Sequence, residues 1–246
     1  MESCYPVRSF AAASVAAAGS AVAELASRLS GVPVQAQADP DLARAWFGPS
    51  FRPAGWEVPP PWDPLSRDYR CADGWVRLHT NAPHHRRAAL AVLGLPGDAG
   101  PETASVAVRA WKGGELEEAV VAAGGCAARL RTAEQWLAHP QGQAVSAEPL
   151  IGWTRRAARR PAETSGTPLR PLHGVRVLDL TRVIAGPVAT RFLAGFGARV
   201  LRIDPPGWQE PSLEAEMTVG KRCTRLDLGT PDGAAKVREL ISTADL

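Results

Sequence analysis

Apolar and polar positions divide the chain into stretches of different period. From Phe10 to Leu29, alanines with Val15, Val22 and Leu25 recur among small polar residues as on a packed helix. The run continues through Glu24 and Arg28, ends near Gly31 and is stopped by Pro33. Between Gln35 and Arg70 the period is lost. There Trp46, Trp56, Trp62 and Pro59-Pro60-Pro61 predict an extended segment that wraps a surface with its indoles as anchors. Asp73-Gly74 then signals a turn, and Trp75 to His79 alternates as a half-buried strand does. Helices are predicted over 84–93, 101–111 and 115–123, the last closed by Gly124-Gly125. Thr132-Ala-Glu-Gln135 is a capping box ahead of Trp136 and Leu137. Residues 71–150 therefore form a small α-rich module with one or two strands.

The pattern changes again after residue 170. Val175 to Leu180 is almost continuously aliphatic, which predicts a strand covered on both faces by helices. Pro187 suits the first position of a following helix, with Phe192, Leu193 and Phe196 on its core face and Gly197 at its end. Arg199 to Ile203 is a second strand, and Pro205-Pro206 forbids its continuation. A third strand is predicted over Thr224–Leu228, and Thr230-Pro231 opens a helix running to about Ser242. The arginines at 155, 156, 159 and 160, with nearby prolines, read as a solvated linker. The expected organisation is a front piece over residues 1–153, a linker over 154–170 and a βαβ-type unit over 171–246.

Composition narrows the class. With 45% apolar and 22% charged residues in 246, the chain can bury a core. A net charge of +3 gives no argument for nucleic acid or a membrane as partner. Cys4, Cys71, Cys126 and Cys223 are far apart and form no CxxC pair, so free thiols in a reducing cytoplasm are expected. No apolar run reaches the roughly 18–20 residues of a membrane span. Glu2 spoils the basic start of a signal peptide, so the alanine-rich run is expected to be a packed helix. His84 and His85 are expected to point apart, and no carboxylate follows either, or His79, at helical spacing, so no metal is expected there.

Asp204 ends the second strand, where dinucleotide-binding proteins place a ribose-binding acid. The loop before it excludes NAD. A pyrophosphate needs a glycine-rich turn, and Thr181 to Arg191 contains Gly186 alone.

Three blocks resemble one known family, the family III CoA-transferases, which include the related α-methylacyl-CoA racemases. They are Leu172-His-Gly-Val-Arg-Val-Leu-Asp-Leu-Thr-Arg-Val-Ile-Ala-Gly-Pro187, Phe192 to Gly207, and Gly220-Lys-Arg-Cys-Thr-Arg-Leu-Asp-Leu228 with Thr230-Pro-Asp-Gly233. A looser resemblance, over Tyr69–Leu150, is to the family's smaller domain, which in typical members follows part of the large domain. The resemblance implies an α/β fold: a Rossmann-like parallel sheet, incomplete at its first three strands, preceded by a small α-rich α+β domain. It also implies coenzyme A as carrier, an acyl-CoA and a carboxylic acid as partners, and an interlocked homodimer for the full-length protein.

In the family, an aspartate attacks the acyl-CoA thioester, and an aspartyl-CoA thioester then passes CoA to the acceptor acid. The resemblance places that aspartate beyond residue 246, so no catalytic residue is assigned, and the chain looks truncated at its carboxyl end. Asp179, Asp204 and Asp227 match structural or CoA-proximal positions of the family and are each expected to pair with a nearby cation. CoA contact carries over to Arg182, Val183, Ile184, Ala185, Gly186 and Pro187, with Arg222 and Leu226 in a second block. Gly229 departs from members that have lysine there. The function implied is CoA transfer. A racemase-type isomerase and a non-catalytic CoA-binding or assembly fragment are the alternatives.

Overall fold

The computed structural model describes residues 5–154 and 165–246. The arginines at 155–160, and Cys4, lie outside the described residues. Helix α1 (Val7–Ser30) buries the small side chains Ala11, Ala23 and Ala26, and Gly31 closes it at φ 69° with its N–H on the Ser27 carbonyl. An alanine at that φ would be strained, whereas glycine adopts it freely. The expectation that no segment reaches membrane-span length is corrected. By length and composition α1 is sufficient, with a mean hydropathy of 1.4 in its most apolar window, because alanine counts as apolar and only two charges interrupt its last turns.

The segment after α1 is not extended throughout. Helix α2 (Pro40–Trp46) forms within it because the Asp39 carboxylate accepts the N–H groups of Asp41 at 2.8 Å and Leu42 at 2.9 Å. Strands β1 (Asp68–Cys71) and β2 (Gly74–Leu78) make an antiparallel hairpin around the predicted Asp73-Gly74 turn. Helices α3 (Pro83–Val92), α4 (Pro101–Val108) and α5 (Gly113–Ala122) follow, and β3 (Ala127–Arg129) completes the sheet β1-β2-β3. Leu65, Val76, Leu78, Leu90, Val108, Leu116 and Val120 form its core. Helix α6 (Ala133–Ala138) begins at the capping box, with both Thr132–Gln135 hydrogen bonds present, and α7 (Pro140–Ser146) follows it.

The second sheet is parallel. Strand β4 (Arg176–Asp179), helix α8 (Ala185–Gly195), strand β5 (Arg199–Asp204), helix α9 (Glu214–Met217), strand β6 (Arg222–Arg225) and helix α10 (Pro231–Thr243) run in turn, and the strands order β4-β5-β6. Two boundaries shift from expectation. Pro187 is the third helical residue, still within the first turn, where an N–H has no helical partner to lose. Strand β6 starts and stops earlier than Thr224–Leu228 because the chain turns at Asp227, whose carboxylate takes the Gly229 N–H at 2.9 Å.

Strand β4 is not covered evenly. Val177 and Asp179 are buried, while Arg176 and Leu178 are half-buried. Val175, Val177, Ala198 and Val200 pack under Leu193 and Ala194 of α8. Phe192 and Phe196 do not join that cluster. They line a groove of about 300 Å³ with Val15, Val22, Ala26 and Val34. Beyond α10 the chain returns to the free edge of β4: the Leu178 N–H meets the Leu246 carbonyl at 2.9 Å, and the Asp245 N–H meets the Arg176 carbonyl at 2.9 Å.

The compact units differ from a division at residue 153. One comprises Met1–Pro59 with Ala158–Leu246, the other Pro60–Ala157. In the first, the Trp46 and Phe192 rings meet at a tilt with centroids 5.9 Å apart, and the Ser50 N–H reaches Glu216 at 2.9 Å. Of the other anchors proposed for the segment, Trp56 and Trp62 stay about half exposed, at 48% and 54%.

Candidate functional site

Strand β4 ends in a carboxylate with no exposure of its side chain. Oδ1 of Asp179 accepts the Thr181 N–H at 3.0 Å and the Thr181 hydroxyl at 2.5 Å. Oδ2 accepts the Thr190 hydroxyl at 2.6 Å and the Lys221 ammonium at 2.9 Å. Burial opposes ionisation of this group, but the hydroxyls of Thr181 and Thr190 and the ammonium of Lys221 outweigh it and hold the carboxyl below its ordinary range. Gly186 lies against Thr181 so closely that a Cβ there would overlap the threonine side chain.

The chain then enters a strained turn. Val183 is the one described non-glycine residue with positive φ, at 66°. A β-branched side chain resists that conformation, and such outliers concentrate at functional loops. Its N–H is fixed by the Glu210 carboxylate at 2.6 Å. The other oxygen of Glu210 takes the buried Arg202 guanidinium at 2.7 Å, and Arg202 also forks onto Asp204 at 2.8 and 3.1 Å. Burial disfavours the charged guanidinium, but the Asp204 and Glu210 carboxylates more than reverse this and raise its pKa. Arg225 holds the connection after β5, donating to the carbonyls of Pro206 at 3.0 Å and Trp208 at 2.6 Å.

The sequence-derived contact residues fall in two places. Arg182 to Pro187 form the loop at the carboxyl end of β4 and the first turn of α8. The Arg182 guanidinium lies 5.3 Å over the Trp208 ring and donates to the Leu180 carbonyl at 3.0 Å. Val183 and Ile184 are 50% and 52% exposed, Ala185 is exposed, Gly186 is half-buried and Pro187 is buried. Leu226, half-buried, stands with the strand ends, its N–H on the Asp204 carbonyl at 2.9 Å. Arg222 does not join them. It is in register with Leu201, itself level with Leu178, and so lies in the body of the sheet on its exposed edge strand.

Of the three strand-end acids, Asp179 and Asp204 pair with cations. Asp227 departs from expectation and is held by backbone N–H donation instead. Lys221, Thr181, Thr190, Glu210 and Trp208 shape the loop and were not singled out in the sequence. Thr181 and Lys221 lie within the quoted blocks, whereas Thr190, Trp208 and Glu210 fall between them and carried no signal. The histidines also differ from expectation. The His84 and His85 rings meet at 4.2 Å, because neighbouring side chains in the first turn of a helix are long enough to touch edge to face. His79 is 6.4 Å from His85, and burial, then the nearby His84 and His79, push the His85 pKa down. No cluster able to hold a metal ion occurs among the described residues.

Acid is expected to weaken this structure at a predictable point. Asp179 and Glu216 both have depressed carboxyl pKa values, the second because Ser50 and Arg191 outweigh its burial. A depressed native pKa gives stability that is complete above the unfolded-state value and is lost as pH falls through the native one. Thermal melts should therefore drop in midpoint below roughly pH 4, where free carboxyls begin to protonate. Asp179→Asn should show a smaller drop over the same window. An equal drop would exclude Asp179 as a contributor.

The fold and site define a mixed α/β protein whose parallel sheet gathers a strained loop, its anchors and a tryptophan at the strand ends. Residues 172–246 match CoA-transferase family III. An acyl-CoA transferase of Gibberella moniliformis is 28% identical over 193 residues, covering 72% of this chain and 34% of that protein. That likeness reaches well in front of residue 172. A succinate–glutarate CoA-transferase of Agrobacterium fabrum is 38% identical over 95 residues, covering 31% of this chain and 24% of its own length. The human α-methylacyl-CoA racemase is 40% identical over 75 residues, covering 30% of this chain and 19% of its own length. The chain thus spans about a third or less of the length of these relatives.

Proposed function

We propose that the loop Arg182–Pro187 is a CoA-binding surface, and that the whole protein moves CoA between an acyl-CoA and a carboxylic acid. The observation that carries this is the position of Val183 and Ile184. They are exposed on a strained turn at the carboxyl end of β4. That strand has β5 on one side and the returning Asp245-Leu246 segment on the other. Such a point, where the chain passes to opposite sides of a first strand, is where open α/β sheets take their ligands. It also supports a Rossmann-like arrangement. The residues fit the ligand: two aliphatic side chains offer an apolar face, and Arg182 beside Trp208 offers a planar cation for phosphate or for stacking.

The three acids singled out in the sequence have other work. Asp179 is enclosed by four donors, Asp204 is forked by Arg202 and Asp227 turns the backbone, so none is free to attack a thioester. The nucleophile of an aspartyl mechanism is therefore not assigned to any of these three. The likeness to a racemase supports a second reading, α-proton exchange on a 2-methylacyl-CoA. Deuterium uptake from heavy water by the whole protein, without an acceptor acid, would favour it.

The direct test is titration of the 246-residue chain with CoA, followed by tryptophan fluorescence and calorimetry. Saturable binding is expected, with Arg182→Ala raising the dissociation constant about tenfold, or 1.4 kcal/mol. No binding at millimolar CoA by the folded chain would overturn the proposal.

A further inference from the structure

We infer that Lys221 is a positioning residue for the loop Arg182–Pro187, acting through Asp179 and the first turn of α8. This rests on the CoA-binding reading of that loop. Lys221 stands just ahead of β6, yet its ammonium reaches the end of β4, two strands away in the sheet, and has no solvent exposure. An ammonium carries three N–H donors. Here each has an acceptor: Asp179 Oδ2 at 2.9 Å, Thr190 Oγ1 at 2.8 Å and the Pro187 carbonyl at 2.8 Å.

The Pro187 carbonyl is the informative partner. It belongs to the first turn of α8, so holding it fixes how Ala185 and Gly186 leave the strained turn. Asp179 grips the other end of the same loop through the Thr181 N–H and hydroxyl. One cation and one anion thus hold the loop at both ends, from Thr181 to Pro187. Apolar residues of the same volume often join a sheet to a helix at least as well as a buried ion pair. They cannot orient a carbonyl and an N–H. The polar clamp is explained by direction rather than by adhesion.

The test uses the 246-residue chain with Lys221→Met and with Asp179→Asn/Lys221→Met. The single variant leaves a buried carboxylate without its cation and is expected to melt far lower or to fail to fold. The double variant carries no buried charge, and the amide oxygen that replaces the carboxylate can still accept from Thr181. Three readouts are compared: melting temperature, amide exchange at Val188 (whose N–H meets the Ile184 carbonyl at 2.8 Å) and the CoA dissociation constant. A positioning role predicts that the double variant recovers to within about 5 °C of the parent. Val188 exchange is then about tenfold faster and CoA binding about tenfold weaker. Recovery of the melt with unchanged Val188 exchange would overturn the inference, whatever happens to CoA. A double variant that does not fold would make Lys221 a requirement of the fold and overturn it too. If the parent binds no CoA while Val188 exchange accelerates in the double variant, the positioning role stands and the CoA reading falls.

Discussion

Arg191→Leu is expected to destabilise the unit formed by Met1–Pro59 and Ala158–Leu246 by about 3–5 kcal/mol, the range for breaking a buried ion pair on one side. The guanidinium binds Glu216, with side-chain exposures of 13% and 11% for the two partners. Its other arm donates to the Ser50 hydroxyl at 2.6 Å, and its plane lies 5.8 Å from the Trp46 ring. One side chain therefore ties α8 to α9 and to the segment after α2. Leucine keeps much of the packing but strands Glu216 without a cation, with Ser50 as its remaining partner. Urea denaturation followed by tryptophan fluorescence measures the loss. Arg191→Leu/Glu216→Leu should recover most of it, because no charge is then left without a partner. A single-variant loss below about 1 kcal/mol, the range of exposed pairs, would mean that the pair is open to water in solution.

Gly186→Ala should cost about 1–3 kcal/mol, the usual range for forcing an extra carbon into a packed site. The glycine φ is not positive, so the reason is space and not backbone freedom. The new methyl would overlap Cβ, Cγ2 and Oγ1 of Thr181. Because Cβ is among the overlapped atoms, rotating the side chain cannot relieve the contact; the Thr181 backbone must shift, which strains the shortest hydrogen bond of Asp179. The effect should extend past stability. A displaced Thr181 moves the start of the loop, so CoA affinity should fall with the melting temperature. Thr181→Ser/Gly186→Ala removes one of the overlapping atoms and should recover part of both. A Gly186→Ala protein with parental stability and affinity would show that the loop has slack that the structure does not suggest.

What was legible in the sequence was local. Gly31, the Thr132–Gln135 box and Thr230 act on backbone groups within four residues of themselves, so their roles can be read from spacing alone. The parallel strands were legible for a similar reason, since aliphatic runs near Val177 and Val200 have few other uses. Strand β1 was missed because its Tyr69 and Cys71 alternate over only four residues beside a proline-rich stretch. The clamp was missed for a different reason. Lys221 finds Asp179 across 42 residues and Glu210 finds Val183 across 27, and neither separation leaves a period in the sequence. A lysine in a polar stretch has the same letters whether its ammonium is in water or under a helix. Likewise Trp46 reads as a wrapping residue until Phe192 is in place beneath it.

The interrupted unit has a consequence for the order in which the polypeptide can mature. Pro60–Ala157 is closed by contacts within itself, so it can condense as soon as it has emerged from the ribosome. Helices α1 and α2 cannot. Ser50 must wait for Glu216, 166 residues later, and until then α1 and α2 lack the aromatic and ionic surface that receives them. Closing so long a span is slow compared with forming local contacts. Helices α1 and α2 are thus synthesised before the unit Pro60–Ala157 and secured after it, leaving an alanine-rich apolar helix exposed while the intervening residues are made.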